Sequence, residues 1–362
     1  MLPKRQFLGL VLLLCLVGFG RVTLPLRADQ SDGDRIADID SWLTQQTKSN
    51  LFSGSVLIAS KGSILLDKGY GLANKDWNIP NAPDTRFRIA SDTKQFTAMS
   101  ILMLQEQGKL SVEDHACQYI DNCPAAWADI TIRELLTHTS GIHELLLLPD
   151  IRSFQALPTS PTNLIARFSS LPLDFQPGTS WRYSNSGYDV LGLIIEKVSG
   201  ETYPTFVKNH IFKPLGMSDT VYNFSTDIVL HRAQGYTTPT TLGEPFDTSV
   251  LYAAGGLYST TDDLYKWDQA LFSGKVVSQK SLDDLIANAV PLSKDNTYGY
   301  GLYISQIDGH QEIGHNGGIS GFTSDMEYLS DVDFTVIMLT NLYSVNAFLD
   351  NGIIVQKFFG AN

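Results

Sequence analysis

Phe87-Arg88-Ile89-Ala90-Ser91-Asp92-Thr93-Lys94-Gln95-Phe96-Thr97-Ala98 is the stretch on which the reading of this chain turns, because the residues before it pattern as strand and those after it as helix. Ser91 and Lys94 stand three apart at that junction, and on a helix residues i and i+3 share a face. A hydroxyl and an amine within reach of each other are a nucleophile beside a base. The positive end of the helix dipole and partial burial both disfavour the charged form of such a lysine. Serine is also a favoured N-cap, so the pair alone has a bland explanation. Two details weaken it: the third residue is Lys rather than the Glu or Gln of a capping box, and no other Ser-Xaa-Xaa-Lys occurs in the chain.

Outward from this junction, Asp34 to Ser49 carries Ile36, Ile39, Trp42 and Leu43 on a helical period. Gly54–Ala59 and Ser63–Tyr70 are β-rich runs parted by Lys61-Gly62, which reads as a hairpin. The Ser91 helix runs to a stop at Gly108. From Ser111 to about Phe224 the pattern is mainly helix and loop, with an N-capped Thr131–Leu136 and an amphipathic Gly187–Gly200. Asp262 to Leu271 reads as a further helix. The chain then returns to strands at Tyr300–Ile307, Gln311–Ile313, Phe322–Leu329 and Phe334–Leu339, before a last helix from Val345 to Phe359. Strands at both ends with helices between them predict an α+β fold of the α/β sandwich type, with one antiparallel sheet built from both termini. The expected division is a sheet unit over about 29–90 and 240–362 and a mainly helical insert over about 91–239.

The chain has 362 residues, 43% of them hydrophobic and 18% charged, which suits a large core. A net charge of -12 argues against nucleic acid as partner, since phosphate binding needs a basic face. Lys4 and Arg5 followed by the uncharged apolar run Phe7 to Gly20 pattern as an export signal within 1–28, too short to span a bilayer. Gly18-Phe19-Gly20 and Arg27-Ala28 both offer cleavage sites. An exported protein of 29–362, periplasmic or extracellular and without stable membrane insertion, is expected, and as a monomer. In an oxidising compartment Cys117 and Cys123 either close the short loop between them as a disulfide or stay as two buried thiols. His138 and His143 are five apart and lack the carboxylate of a zinc signature, so neither a metal nor another cofactor is expected.

Two further segments carry candidate chemistry. Arg182-Tyr183-Ser184-Asn185-Ser186-Gly187 sets a phenol and a carboxamide two apart in a loop before a helix, where both can face one cavity. Gly314-His315-Asn316-Gly317-Gly318-Ile319-Ser320-Gly321-Phe322 is glycine-rich at the edge of an expected strand. Glycines there admit a substrate close to the backbone N–H groups, although taken alone the segment is better explained as a tight turn between strands.

Ser91-Asp92-Thr93-Lys94, Tyr183-Ser184-Asn185 and His315-Asn316-Gly317, in this order and with these gaps, resemble the three active-site motifs of the serine β-lactamase and D,D-peptidase superfamily. The likeness is to class C β-lactamases and the related D,D-carboxypeptidases and esterases, and Leu135–Ile142, Ile211–Thr220 and Ala254–Thr260 also look like segments of that group. The resemblance implies Ser91 as acylated nucleophile, Lys94 as its base, Tyr183 as proton relay and Asn185 as holder of the substrate amide. It implies His315 and Gly317 at the substrate and an oxyanion hole formed by the N–H groups of Ser91 and Gly318. The expected function is an exported serine acyl hydrolase acting on a D-Ala-D-Ala peptide, a β-lactam or an ester, and the alternative is a penicillin-binding or sensor module that acylates without efficient turnover. One departure bears on substrate: the third motif has His315-Asn316 where class C enzymes usually carry Lys-Thr or Lys-Ser. A histidine with an ordinary pKa of about 6.5 supplies a carboxylate-binding charge only as the pH falls.

Overall fold

The structure, a computed structural model, describes residues 31–223 and 227–360. The expected export signal lies outside the described residues, and among them no helix is long and apolar enough to cross a membrane. Helix α1 (Asp32–Lys48) begins at a capping box on Ser31 and buries Ile39 and Leu43. The hairpin of β1 (Gly54–Ser60) and β2 (Ser63–Tyr70) turns at Lys61 and Gly62, both at positive φ, which explains the glycine. Helices α2 (Thr93–Glu106), α3 (Ile132–Leu136), α4 (Asn185–Ser199) and α5 (Thr261–Phe272) come next. The chain then builds β3 (Val290–Pro291), β4 (Thr297–Tyr298), β5 (Tyr303–Ile307), β6 (His310–Ile319), β7 (Phe322–Leu329) and β8 (Phe334–Thr340) before α6 (Ala347–Phe359).

These strands form one antiparallel eight-stranded sheet in the order β3-β4-β5-β6-β7-β8-β1-β2, so the two chain ends meet where β8 pairs with β1. That junction is covered on both faces. Val56, Ile58, Val336 and Met338 pack against α1 and α6, whereas Leu57, Ala59, Ile337 and Leu339 join the larger core shared with the helical part. Double coverage is why Phe334–Thr340 is buried at every position and why Val336–Leu339 reads as an unbroken apolar run rather than an alternating one. Fully burying each such side chain stabilises by roughly 1.5–3 kcal/mol. The α+β architecture expected from the alternation of strands and helices is the one observed. Cys117 and Cys123 are joined as a disulfide with Cα atoms 5.3 Å apart.

The glycine-rich segment carries strand further than its sequence reading: β6 runs on as far as Ile319, pairing Gly314 with Glu327, Asn316 with Asp325 and Gly318 with Thr323. The tight turn between strands lies at the end of the segment, with Gly321 at φ +89°. Pairing with β7 outweighs the weak strand preference of glycine.

Candidate active site

The Ser91 turn is held from behind. Phe87 and Arg88 pair with Ser259 and Tyr258, Arg88 Nε donates to the Tyr258 hydroxyl at 2.8 Å, and Ile89 N donates to Leu257 O at 3.1 Å. Ala90 is thereby forced to φ +43°, a left-handed conformation costly for a side-chain-bearing residue and characteristic of functional turns. Ser91 sits on a single 3-10 turn, Ala90–Asp92, and α2 starts at Thr93. Helix α2 is buried nearly all round, its apolar residues Phe96, Ala98, Met99, Ile101, Leu102 and Leu104 together with the polar Thr93, Gln95, Thr97 and Ser100. Its first turn is therefore as dry as its middle, and Lys94 is 0% exposed.

Lys94 Nζ makes three contacts: Asn185 Oδ1 at 2.8 Å, Ala254 O at 2.8 Å and Ser91 Oγ at 3.2 Å. Burial pushes the amine down to about 7, against the opposing pull of Glu144, Asp189 and Asp92. The two amide oxygens can only accept, so they take the two N–H bonds of a neutral amine and leave its lone pair facing the Ser91 hydroxyl. The Tyr183 and Tyr188 rings lie 4.7 and 5.4 Å from Nζ and close the remaining sides.

Asn185 is the first residue of α4 rather than part of an extended loop; Ser184 is the N-cap, its hydroxyl accepting from Gly187 N at 3.1 Å. The Asn185 amide is set by Glu144, whose carboxylate accepts from Asn185 N at 2.5 Å and from Nδ2 at 2.8 Å. The clamp fixes which way the carboxamide faces: Nδ2 to Glu144, Oδ1 to Lys94. Glu144 was not read from the sequence. It sits in a loop after α3 with no periodic neighbours, and its only signal is a carboxylate beside the apolar Leu145–Leu148.

Burial holds the Tyr183 hydroxyl well above the usual phenol range, with the Ser91 hydroxyl beside it working the other way. No hydrogen-bond partner in good geometry satisfies it. His138, at φ +61°, lies beneath: its ring centroid is 4.4 Å from that of Tyr183 and its Nδ1 accepts from Ser184 N at 3.1 Å. His143 instead pairs with Asp174 at 2.8 Å, so the two histidines serve different contacts.

His315 departs from expectation. It is buried, its Nδ1–H donates to Asn316 O at 2.6 Å and its Nε2 accepts from the Tyr298 hydroxyl at 3.1 Å. Burial, then the nearby Lys94, push it down to about 3. The expected histidine that gains charge between pH 6 and 7 is therefore corrected to a neutral one packed behind Tyr183, ring centroids 6.1 Å apart. Beyond Gly314 strand β6 has no partner on its β5 side, so its free edge runs past the Ser91 turn. The approach is close at Gly317, where a β-carbon would lie 2.3 Å from Ile89 O and 3.0 Å from Ser91 N; Gly318 is open. Ser91, Tyr183 and Asn185 thus surround Lys94, Gly317 approaches the Ser91 turn with Gly318 next along β6, and His315 stands behind Tyr183.

The family model described as Beta-lactamase matches residues 39–356. The chain belongs to the Beta-lactamase family. A Bacillus subtilis (strain 168) relative that carries the name penicillin-binding protein PbpX is 35% identical over 294 residues, 80% of this chain and 71% of that protein. A solved penicillin binding protein from Bacillus halodurans is 28% identical with a TM-score of 0.77, covering 88% of this chain and 98% of its own. D-amino acid amidase from Ochrobactrum anthropi SV3 is 26% identical with a TM-score of 0.78, covering 90% of this chain and 98% of its own. This Beta-lactamase-family chain is accordingly one of a group of serine hydrolases that includes amidases and penicillin-binding-protein-like enzymes.

Proposed function

We propose that this protein is an exported serine hydrolase that cleaves amides or esters through an acyl-Ser91 intermediate and prefers substrates without a carboxylate beyond the scissile bond. The observation that carries the reading is the placing of the buried Lys94 Nζ among three oxygens, 2.8 Å from Asn185 Oδ1, 2.8 Å from Ala254 O and 3.2 Å from Ser91 Oγ, of which the first two can only accept, so the neutral amine turns its lone pair to Ser91. Lys94 takes the Ser91 proton as Oγ attacks the carbonyl. The N–H groups of Ser91 and Gly318 hold the oxyanion, and the Tyr183 hydroxyl protonates the leaving group while Lys94 passes to Tyr183 the proton taken from Ser91, so both groups end as they began. Water then attacks the acyl carbonyl and gives a proton to Lys94, which hands it to Ser91 Oγ as the acyl–oxygen bond breaks and the acid leaves. Asn185 Nδ2 is committed to Glu144, so Asn185 keeps Lys94 in place as well as bordering the substrate.

The preference comes from charge. His315 stays neutral, so the third motif offers no cation to the carboxylate of a β-lactam or a D-Ala-D-Ala peptide, and the Glu144 carboxyl is buried beside Asn185. The likeness to D-amino acid amidase supports the amide alternative. A panel of D-phenylalanine amide, p-nitrophenyl acetate, nitrocefin and a D-Ala-D-Ala peptide tests it: amide or ester should turn over fastest and Ser91→Ala should lose all turnover and all fluorophosphonate labelling. Equal labelling of Ser91→Ala would overturn the nucleophile, and nitrocefin as best substrate would overturn the preference. The names of the relatives favour a second reading, a penicillin-binding protein that acylates and stops; a burst on nitrocefin without steady release from any substrate would select it.

Glu144→Gln keeps the shape of the clamp but cannot accept from both Asn185 N–H groups. The expected loss in kcat/KM on the ester is about 1–3 kcal/mol, between about fivefold and 150-fold. Because Glu144 holds the Lys94 amine up, its removal also moves the acid limb of the pH profile to lower pH. An unshifted limb would show Glu144 to be merely structural.

A further inference from the structure

On the face of β6 opposite Ser91, a cavity of about 260 Å³ lies between the sheet and the start of α6. Its floor is Glu312 on β6 and Asp325 and Glu327 on β7, 5%, 1% and 3% exposed, and its mouth is marked by the aromatic Phe348, 44% exposed. Three carboxylates side by side in a buried place repel one another and lose hydration, a costly arrangement without a counter-charge. Part of the demand is met internally: Asp325 Oδ2 accepts from Asn351 Nδ2 at 2.7 Å, and Glu312 Oε2 accepts from the Ser305 hydroxyl. No group outside the cluster donates to Glu312 Oε1, Glu327 Oε1 or Glu327 Oε2, and burial beside Asp325 and Glu312 holds the Glu327 carboxyl well above the usual carboxylate range, so the only donor there is a proton the cluster shares. Among the residues lining the cavity the sole basic side chain is His315, which is neutral.

The ligand that such a place lacks carries positive charge and several donors. A metal ion fits poorly, because among the described residues no three acidic, histidine or cysteine side chains are disposed to hold one. A primary ammonium offers three N–H bonds for the three oxygens, and Tyr303 and Phe348 supply aromatic walls for an alkyl stem. We propose that this cavity is a binding site for a primary alkylammonium group, held by Glu312 and Glu327 with Asp325 behind them. Asn316 and His315 form the wall it shares with the Ser91 cleft, so an occupant reaches the same strand from its other face. The proposal does not depend on the hydrolase reading, and its test is run on the Ser91→Ala protein.

Calorimetric titration of that protein with n-butylammonium chloride at pH 7.5 is expected to show saturable one-site binding. Charge-assisted hydrogen bonds of about 1.5–3 kcal/mol predict binding at least about tenfold weaker in Glu327→Gln and in Glu312→Gln. Choline, which has no N–H donor, should not compete. Phe348→Lys, a change at an exposed position that cannot unfold the core, places a tethered ammonium at the mouth and should abolish butylammonium binding even if either glutamine variant fails to fold. No saturable heat above that of sodium chloride at matched ionic strength would overturn the proposal, since the carboxyls would then be sharing protons instead. Undiminished binding in Phe348→Lys and in the glutamine variants would place the amine elsewhere, and saturable calcium or magnesium binding without amine binding would make the cavity a metal site.

Discussion

Lys94→Met should reduce kcat/KM on an activated ester by between about a hundredfold and ten-thousandfold, the range a positioned general base supplies. The wild-type profile should rise with pH through about 7, because the amine must be neutral to accept the Ser91 proton. The same group leaves a signature in stability that the variant isolates. A lysine at about 7 in the folded chain and near its ordinary value of about 10.4 when unfolded is charged only in the unfolded state between those limits. The unfolded state then binds one more proton, so the stability of the wild type rises with pH across that window, by about 1.4 kcal/mol per pH unit relative to Lys94→Met. Below about 7 both states are protonated and the difference is flat. Urea melts of both proteins at pH 6, 7.5 and 9 measure it. A difference that stays constant from pH 7.5 to 9 would mean that Lys94 is charged in the folded protein and is no base at neutral pH.

That prediction rests on what was legible and on what was not. The Ser91–Lys94 pair was readable because three residues of helix fix its geometry locally, and the two later motifs were readable because their order and residue types limit what they can do. The depth of Lys94 was not: its dryness comes from Tyr183, Tyr188 and the Tyr252–Gly255 turn, brought in from about 90 and 160 residues away. His315 shows the same limit more sharply. Its residue type suggested a switch near neutral pH, yet Tyr298 on β4 satisfies its ring and burial removes its charge. Asp189 did leave a trace that could have been used, a lone carboxylate inside the apolar run Tyr188-Asp189-Val190-Leu191 of α4, now found buried beside Lys94 with neither oxygen partnered. Local spacing told which groups meet; the long-range packing that decides their charge is not written in any window of sequence.

Gly317→Ala and Gly318→Ala should differ widely although the positions are adjacent and the added methyl is the same. At Gly317 the new carbon falls 2.3 Å from Ile89 O and 2.4 Å from Ser324 Oγ, so β6 or the Ser91 turn has to move. The backbone contact cannot yield as a flexible side chain would, and overpacking of this kind costs about 1–3 kcal/mol of stability. The larger effect is on rate. A shift of about 1 Å between the nucleophile and the strand that borders it costs about a hundredfold, through misalignment alone. At Gly318 nothing approaches the added carbon closer than the Tyr343 ring at 3.9 Å, and alanine keeps the N–H proposed to hold the oxyanion. Its melting behaviour should stay within about 0.5 kcal/mol of the wild type, as exposed substitutions usually do, and kcat should be nearly unchanged. Steady-state kinetics and urea melts of the two variants provide the contrast. Equal loss of kcat in both would mean that the segment acts through chain flexibility, whereas retention in both would remove β6 from the reaction and leave Ser91 bordered by some other element.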